Sequence, residues 1–362
     1  MSNSIGNSVI LTLSGESHGE MICAVLDGLA AGIPVDEGFI AAQLSKRRPS
    51  GITDTARVEP DDFRIVSGVF NGMTTGAPVT ILIPNTNVRS TDYDNIRFLP
   101  RPSHADYVAH VRYAGFEDYR GGGHFSGRIT VGIVAAGALA IKALERKGIG
   151  LATHIMQCGG VSDSHFTDFP AQIESLNAKV FPVIDDEAGK KMIEKIDEAR
   201  KCGDSIGGKI QTAIIGLDAG IGEPWFDSLE GCIAKAMFAI GGIKGVEFGL
   251  GFGFAEGTGS SLNDPWIVNE DRIATSSNNN GGINGGMSNG MPVVFNCAVK
   301  PTPSISREQD TVDLQSGQPA RLCIGGRHDP AIIRRICIVA SSLTAIVLCD
   351  MLAIRYGKDY LR

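Results

Sequence analysis

Residues 15–19 read Gly15-Glu16-Ser17-His18-Gly19, and how this pentapeptide is taken decides the fold. It matches the G-x-S-x-G nucleophile elbow, which would make Ser17 an acyl-transfer nucleophile on an α/β-hydrolase sheet. That fold needs several strands and an oxyanion loop ahead of the elbow. Only fourteen residues precede Gly15 here, with room for one β-prone run at 9–13. The hydrolase reading fails on context, and attention moves from Ser17 to its neighbour His18.

Downstream of the pentapeptide, Asp36 offers an N-cap to a helix carrying Ile40 and Leu44 on one face, which should stop at Pro49. Its last turn is Lys46-Arg47-Arg48, where cations suit the negative end of the helix dipole or can be presented to a ligand. Strands are predicted over 63–70, 79–83, 209–217, 245–255 and 291–300. Helices are predicted over 129–147, 185–202, 229–240 and 334–353. No Pro/Gly/Ser linker divides the chain, so residues 1–362 are expected to form a single α/β domain. Glycine-rich loops at 121–127 and 281–286 hint at a duplicated half, without a residue-level repeat.

Of the 362 residues, 43% are hydrophobic, enough for a sizeable core. A net charge of -7 argues against a general affinity for nucleic acid or anionic membrane, so any anionic ligand must meet a local basic cluster. The eight cysteines are scattered with no C-x-x-C pair, which predicts a reducing compartment and a cytoplasmic protein. The late apolar run at 336–349 reads as a buried helix, too short to span a bilayer. Residues 203–210 nearly spell a P-loop, but Ile210 stands where a hydroxyl residue would hold magnesium, and no G-x-G-x-x-G occurs. The histidine spacing fits no metal motif, so no metal is expected.

What remains is a set of histidines and arginines on turns. His18, His104 in Arg101-Pro102-Ser103-His104-Ala105-Asp106, and His328 in Gly325-Gly326-Arg327-His328-Asp329-Pro330 are candidates for proton transfer, although a lone histidine is more often a hydrogen-bonded structural residue. Arg47, Arg48, Arg101, Arg120, Arg128 and Arg327 lie beside glycine or turns, where guanidinium and backbone N–H can meet the same anion. Lys300-Pro301-Thr302-Pro303-Ser304 adds a lysine and two hydroxyls on a stiff turn, a candidate phosphate holder. The residues alone thus indicate an enzyme or binding protein for a phosphorylated or polycarboxylate small molecule.

In order along the chain, GESHG, Lys46-Arg47-Arg48-Pro49, Ser67-Gly68-Val69-Phe70, Arg101-Pro102-x-His104-Ala105-Asp106, residues 118–128, Asn278-Asn279-Asn280-Gly281-Gly282, the 300–304 turn and residues 326–330 resemble the chorismate synthase family. The resemblance implies a β-α-β sandwich of two antiparallel sheets between helical layers, usually assembled as a homotetramer. It implies a lyase of the shikimate pathway to the aromatic amino acids, converting 5-enolpyruvylshikimate 3-phosphate to chorismate by anti-1,4-elimination of phosphate. The expected cofactor is reduced FMN (FMNH2), with NADPH a candidate reductant.

By matched position, His18 would be the acid toward the departing phosphate, His104 would protonate or stabilise the reduced flavin, and Asp329 would help move the flavin proton. Arg47, Arg48, Arg128 and Arg327 would hold the substrate's anionic groups. Flavin contacts would fall on Ser126, Gly127, Arg128, Gly241, Gly242, Gly285, Lys300, Pro301, Thr302, Pro303, Ser304 and Arg327. The chain departs from the family pattern at 50–54, where a basic residue is common, at Gly241-Gly242, at Asn280 in place of histidine, and at Ser341 in place of a glutamate. Those departures motivate one alternative, a non-catalytic flavin- or phosphosugar-binding protein on the same scaffold.

Overall fold

The computed structural model describes residues 3–54, 60–86, 97–269, 272–325 and 328–362. Two five-stranded antiparallel sheets dominate it. The first contains β1 (Ser4–Ile5), β2 (Ile10–Ser14), β3 (Met21–Asp27), β4 (Arg64–Ser67) and β5 (Val79–Pro84), side by side as β1-β2-β3-β5-β4. The second contains β6 (Gly150–Cys158), β7 (Val161–Ser162), β8 (Gly208–Ile215), β9 (Ile243–Phe248) and β10 (Val293–Val299), in the order β9-β10-β8-β6-β7.

The period-two pattern shows which face each sheet turns inward. Ile22, Ala24 and Leu26 on β3 and Val79, Ile81 and Ile83 on β5 are fully buried, as is Phe295 on β10, while their sequence neighbours are less so. Between the inward faces lie α1 (Glu37–Arg47), α3 (Thr130–Glu145), α6 (Leu229–Ala239) and α7 (Ile333–Tyr356). Helix α3 packs on β2, β3 and β5 of the first sheet, α7 packs on β6 and β8 of the second, and the two helices pack on each other. The short α2 (Asp106–Arg112) lies outside this stack, α4 (Phe169–Ala178) covers the outer face of the second sheet, where Ile173 and Leu176 pack with Ala152 and Ala213, and α5 (Asp186–Lys201) packs beside its β6–β7 edge with Met192 and Ile196 joining the main core. The expected sandwich of antiparallel sheets and helices is therefore present, with its main helical layer in the middle.

Both central helices are apolar around most of their circumference, as a helix enclosed on all sides must be. Gly127–Glu145, which includes α3, and α7 are each long and apolar enough to cross a membrane, yet each is buried inside the protein. Their close approach requires a glycine. A Cβ at Gly137 of α3 would lie 2.4 Å from the Ser342 Cβ of α7. Asp350 of α7 ties the N-terminal loop down, its carboxylate accepting bonds from the backbone N–H groups of Asn7, Ser8 and Val9 at 2.6–3.1 Å.

Two predicted strands are shorter than the sequence pattern suggests. The strand expected over 245–255 ends at Phe248, because Gly249 and Gly251 take left-handed φ of 56° and 53° and lead into a 3-10 turn at Gly251–Glu256. The 63–70 strand breaks at Gly68 (φ 81°), after which Val69–Phe70 pairs separately with Met73–Thr74.

Candidate active site

His18 sits in the loop joining β2 to β3. That loop is fixed from two sides: Ser17 N–H donates to the Gly123 carbonyl at 3.0 Å, and the Asn85 amide donates to the Glu16 and Gly19 carbonyls at 3.0 and 2.9 Å. Gly121, Gly122 and Gly123 all have positive φ (61°, 84° and 53°), so this stretch can be traced only by glycine without strain. The missing side chains make room for imidazoles. A Cβ on Gly121 would lie 2.3 Å from His18 Cε1, and one on Gly122 would lie 3.1 Å from His104 Cε1. The triple-glycine loop thus runs between the two histidines singled out from sequence. Close to His18, Asp118 forms a bidentate pair with Arg120 at 2.8 Å for both contacts. Burial pushes its carboxyl up, but the bonds from Arg120 and the nearby His18 bring it below the ordinary value. Arg120 is therefore committed to Asp118.

His104 belongs to a compact network. Its Nδ1 lies 2.6 Å from Asp106 Oδ1 and 3.0 Å from Arg101 Nη2. Arg101 also donates to Asp106 from Nε (2.8 Å), Nη2 (2.7 Å) and its backbone N–H (2.9 Å), and from Nη1 to Ser304 Oγ (3.2 Å). With Nδ1 engaged, Nε2 is the nitrogen left for proton exchange. Burial opposes ionisation of Asp106, yet the bonds from Arg101 and His104 outweigh it and hold this carboxyl far below the usual carboxylate range. A carboxyl lowered on folding stabilises the fold above its unfolded pKa, near 4, and loses that contribution as pH falls. Asp106→Asn should therefore melt lower than the parent protein at neutral pH, with the gap closing as the melts are taken down through the acid range.

The Lys300–Ser304 turn docks on this network through the Ser304–Arg101 bond and through Lys300 Nζ, which donates to the Ser103 carbonyl. The Gly242 carbonyl accepts from the Lys300 N–H at 2.9 Å, which brings Gly241-Gly242 to the same place. Burial and the neighbouring Lys244 charge lower the Lys300 ammonium below its ordinary value, so two lysines converge there. His328 approaches from the C-terminal loop, its proton affinity reduced by burial and by the Arg101 charge. Gly285, by contrast, lies in the hairpin turn between Ile283–Asn284 and Met287–Ser288 and is not among the contacts of this network.

The predicted anion-binding arginines meet on a residue that sequence reading overlooked. Asp61, whose side chain is fully buried, accepts from Arg47 Nη2 at 3.0 Å and from Arg128 Nη1, and Arg48 Nε lies 3.8 Å away. Arg128 also donates to Asn85 Oδ1 (2.9 Å) and to the Pro84 carbonyl (3.3 Å), so Asn85 links the His18 loop to the arginine cluster. The first turn of α7 supports the cluster from below. Arg335 bridges the Arg47 carbonyl (2.7 Å) and the Asp329 carboxylate (2.8 Å). Arg334 pairs with Asp54 and donates to the Lys46 and Arg48 carbonyls. Arg327 lies outside the described residues.

Beside His104, a cavity of about 420 Å³ opens on the other side, walled by Arg101, Asp106, Tyr113, Phe116, Tyr119 and Phe125. His104 is part of its wall, whereas the described positions expected to hold the flavin, at 126–128, 241–242, 285 and 300–304, are not. Those positions instead offer features suited to a bound group. Gly127, Gly241 and Gly285 have open space where a Cβ would stand, and the buried Thr302 Oγ1 has no hydrogen-bond partner.

Comparison with known proteins gives a consistent result. The profile of the family described as chorismate synthase matches residues 9–353. The chain is 46% identical to the chorismate synthase of Thermococcus gammatolerans, covering 96% of each chain, and 44% identical to that of Dehalococcoides mccartyi, covering 99% of this chain and 98% of the relative. A crystal structure of chorismate synthase, 28% identical, superposes with a TM-score of 0.77 over 98% of this chain and 94% of its own.

Proposed function

The chain belongs to the chorismate synthase family of lyases, and on that premise we propose how its residues divide the elimination of phosphate from 5-enolpyruvylshikimate 3-phosphate. The observation that carries the proposal is the placement of His18 and His104 on either side of one glycine loop. The two imidazoles can serve two separate proton-transfer tasks in one site. His18 is the acid toward the departing phosphate. Its position in a closely fitted, mostly buried pocket directs the proton to one oxygen and keeps water away.

His104, oriented through Nδ1 by Asp106 and Arg101, would have Nε2 available to protonate or stabilise a bound reduced flavin, and Asp329, held by Arg335, would help move that proton. Arg47, Arg48, Arg128 and Arg327 take the substrate's carboxylates and phosphate. The Lys300–Ser304 turn with Lys244, Gly241-Gly242 and Ser126-Gly127 would hold FMN, the lysines against its phosphate and Thr302 Oγ1 as a further polar contact. The chemistry supplied by reduced FMN when bound is electron density for the breaking C–O bond and acceptance of the C6 hydrogen. We further propose one domain over 1–362, a homotetrameric assembly and a cytoplasmic location. The non-catalytic alternative is not favoured, since the chain matches the family along nearly its whole length and its sequence retains His18, His104 and Asp329.

The test is anaerobic phosphate release from the substrate with chemically reduced FMN. Release well above a protein-free control is expected, and its absence would sink the catalytic reading. Replacing the chemical reductant by NADPH in the same assay asks whether the protein reduces its own flavin.

A further inference from the structure

The Arg47–Asp61–Arg128 contact is unusual in two respects. A carboxylate is buried completely between guanidinium groups from two separate elements, one ending α1 and one preceding α3. It is also delivered by a non-glycine residue at φ 52°, a region that costs such residues energy and persists only where the surroundings impose it. Arg128 is fully engaged in this arrangement, with Asp61 on Nη1, Pro84 on Nη2 and Asn85 on Nε.

From this geometry we infer that Asp61 is an internal anion, occupying between Arg47 and Arg128 the position that an anionic group of the substrate takes. The inference rests on the reading of these arginines as substrate ligands and names the residue that sets their affinity. Two close guanidinium groups without a counter-charge would repel each other in a buried site, so a resident carboxylate keeps the clamp assembled when it is empty of ligand. The same carboxylate competes with the ligand. It is tethered, so its effective concentration is high, and an incoming anion must outbid it. A phosphate can carry more charge than a single carboxylate and has more acceptor oxygens, which favours it in that competition. Asp61 is thus a specificity-determining residue for strongly anionic groups. If the clamp is clear of Asp61 for roughly a tenth of the time, the apparent Kd is about tenfold weaker than that of the bare clamp.

The test uses the full chain without flavin, the variant Asp61→Asn, and inorganic phosphate as the probe, titrated calorimetrically at low ionic strength. The variant should bind phosphate about tenfold more tightly than the parent, and its melting temperature should rise more steeply with added phosphate. Equal or weaker phosphate binding in the variant overturns the inference, as does a lack of phosphate binding by both proteins. If Asp61→Asn does not fold in phosphate-free buffer, refolding in phosphate buffer should recover it, and failure in both buffers likewise overturns the idea. The outcome is separable from the catalytic reading: a parent protein that binds phosphate but releases none from substrate would end the lyase proposal and leave the role of Asp61 standing.

Discussion

His18→Ala should lower turnover by about 10²–10⁴-fold, the usual contribution of a positioned general acid, while flavin affinity stays at the parent level. The two effects separate because the positions proposed to hold flavin lie on other elements, at 126–127, 241–242 and 300–304. The expectation is specific to the proton. The His18 loop is pinned by the bonds from Asn85 and by the Ser17–Gly123 bond, and none of these uses the imidazole. Alanine should therefore leave these loop bonds in place while removing the ring beside Gly121. A loss expressed in kcat with little change in KM marks an interaction made in the transition state. Flavin titration and steady-state kinetics on the same preparation provide the check. Parallel loss of turnover and flavin binding would show instead that the ring holds the site together.

Much of this arrangement was legible in the sequence, and the rest was hidden for identifiable reasons. The apolar content of the 129–147 and 334–353 segments marked two helices, the second of them as buried, and the structure buries both. That α3 and α7 lie against each other between two sheets could not be read, because an apolar circumference says that a helix is enclosed and not by what. The glycine-rich stretch at 121–127 was visible as a loop. Its use, clearing space for His18 and His104, depends on contacts more than a hundred residues apart in the case of His18.

The arginines at 47, 48 and 128 stand out in the sequence beside glycine or turns, and the fold gathers them around Asp61. Asp61 was missed because Glu59-Pro60-Asp61-Asp62 has the composition of a solvated acidic turn, and only the fold buries the third residue of it. Asn85 was missed for a similar reason, its importance lying in bonds to two loops distant in sequence. The departures from the family pattern acquire physical partners. Ser341 joins Thr153 and Thr212 in a buried chain of hydroxyls at 2.8 Å spacing, and Asp54 is the counter-charge to Arg334.

That last pair gives the second large effect. Arg334 and Asp54 are both buried, at 2.7 Å, and Asp54 also accepts from the Ser50 N–H at 2.9 Å. Burial already holds the Asp54 carboxyl above its ordinary value in spite of Arg334. Arg334→Met should then cost about 3–5 kcal/mol, because it leaves a buried carboxylate without its partner. The penalty should shrink as pH is lowered, since protonating Asp54 removes the uncompensated charge. Adding Asp54→Asn keeps an acceptor for Ser50 and discards the charge, so the double variant should recover much of the stability in denaturant unfolding.

Affinity for substrate should not recover with it. Arg334 also holds the Lys46 and Arg48 carbonyls, and those bonds are lost in both variants, so the arginine run loses its support whether or not the charge is balanced. A double variant with restored stability and a still-raised KM would assign to Arg334 two separable roles, counter-ion and backbone clamp. Full recovery of KM alongside stability would reduce them to the first.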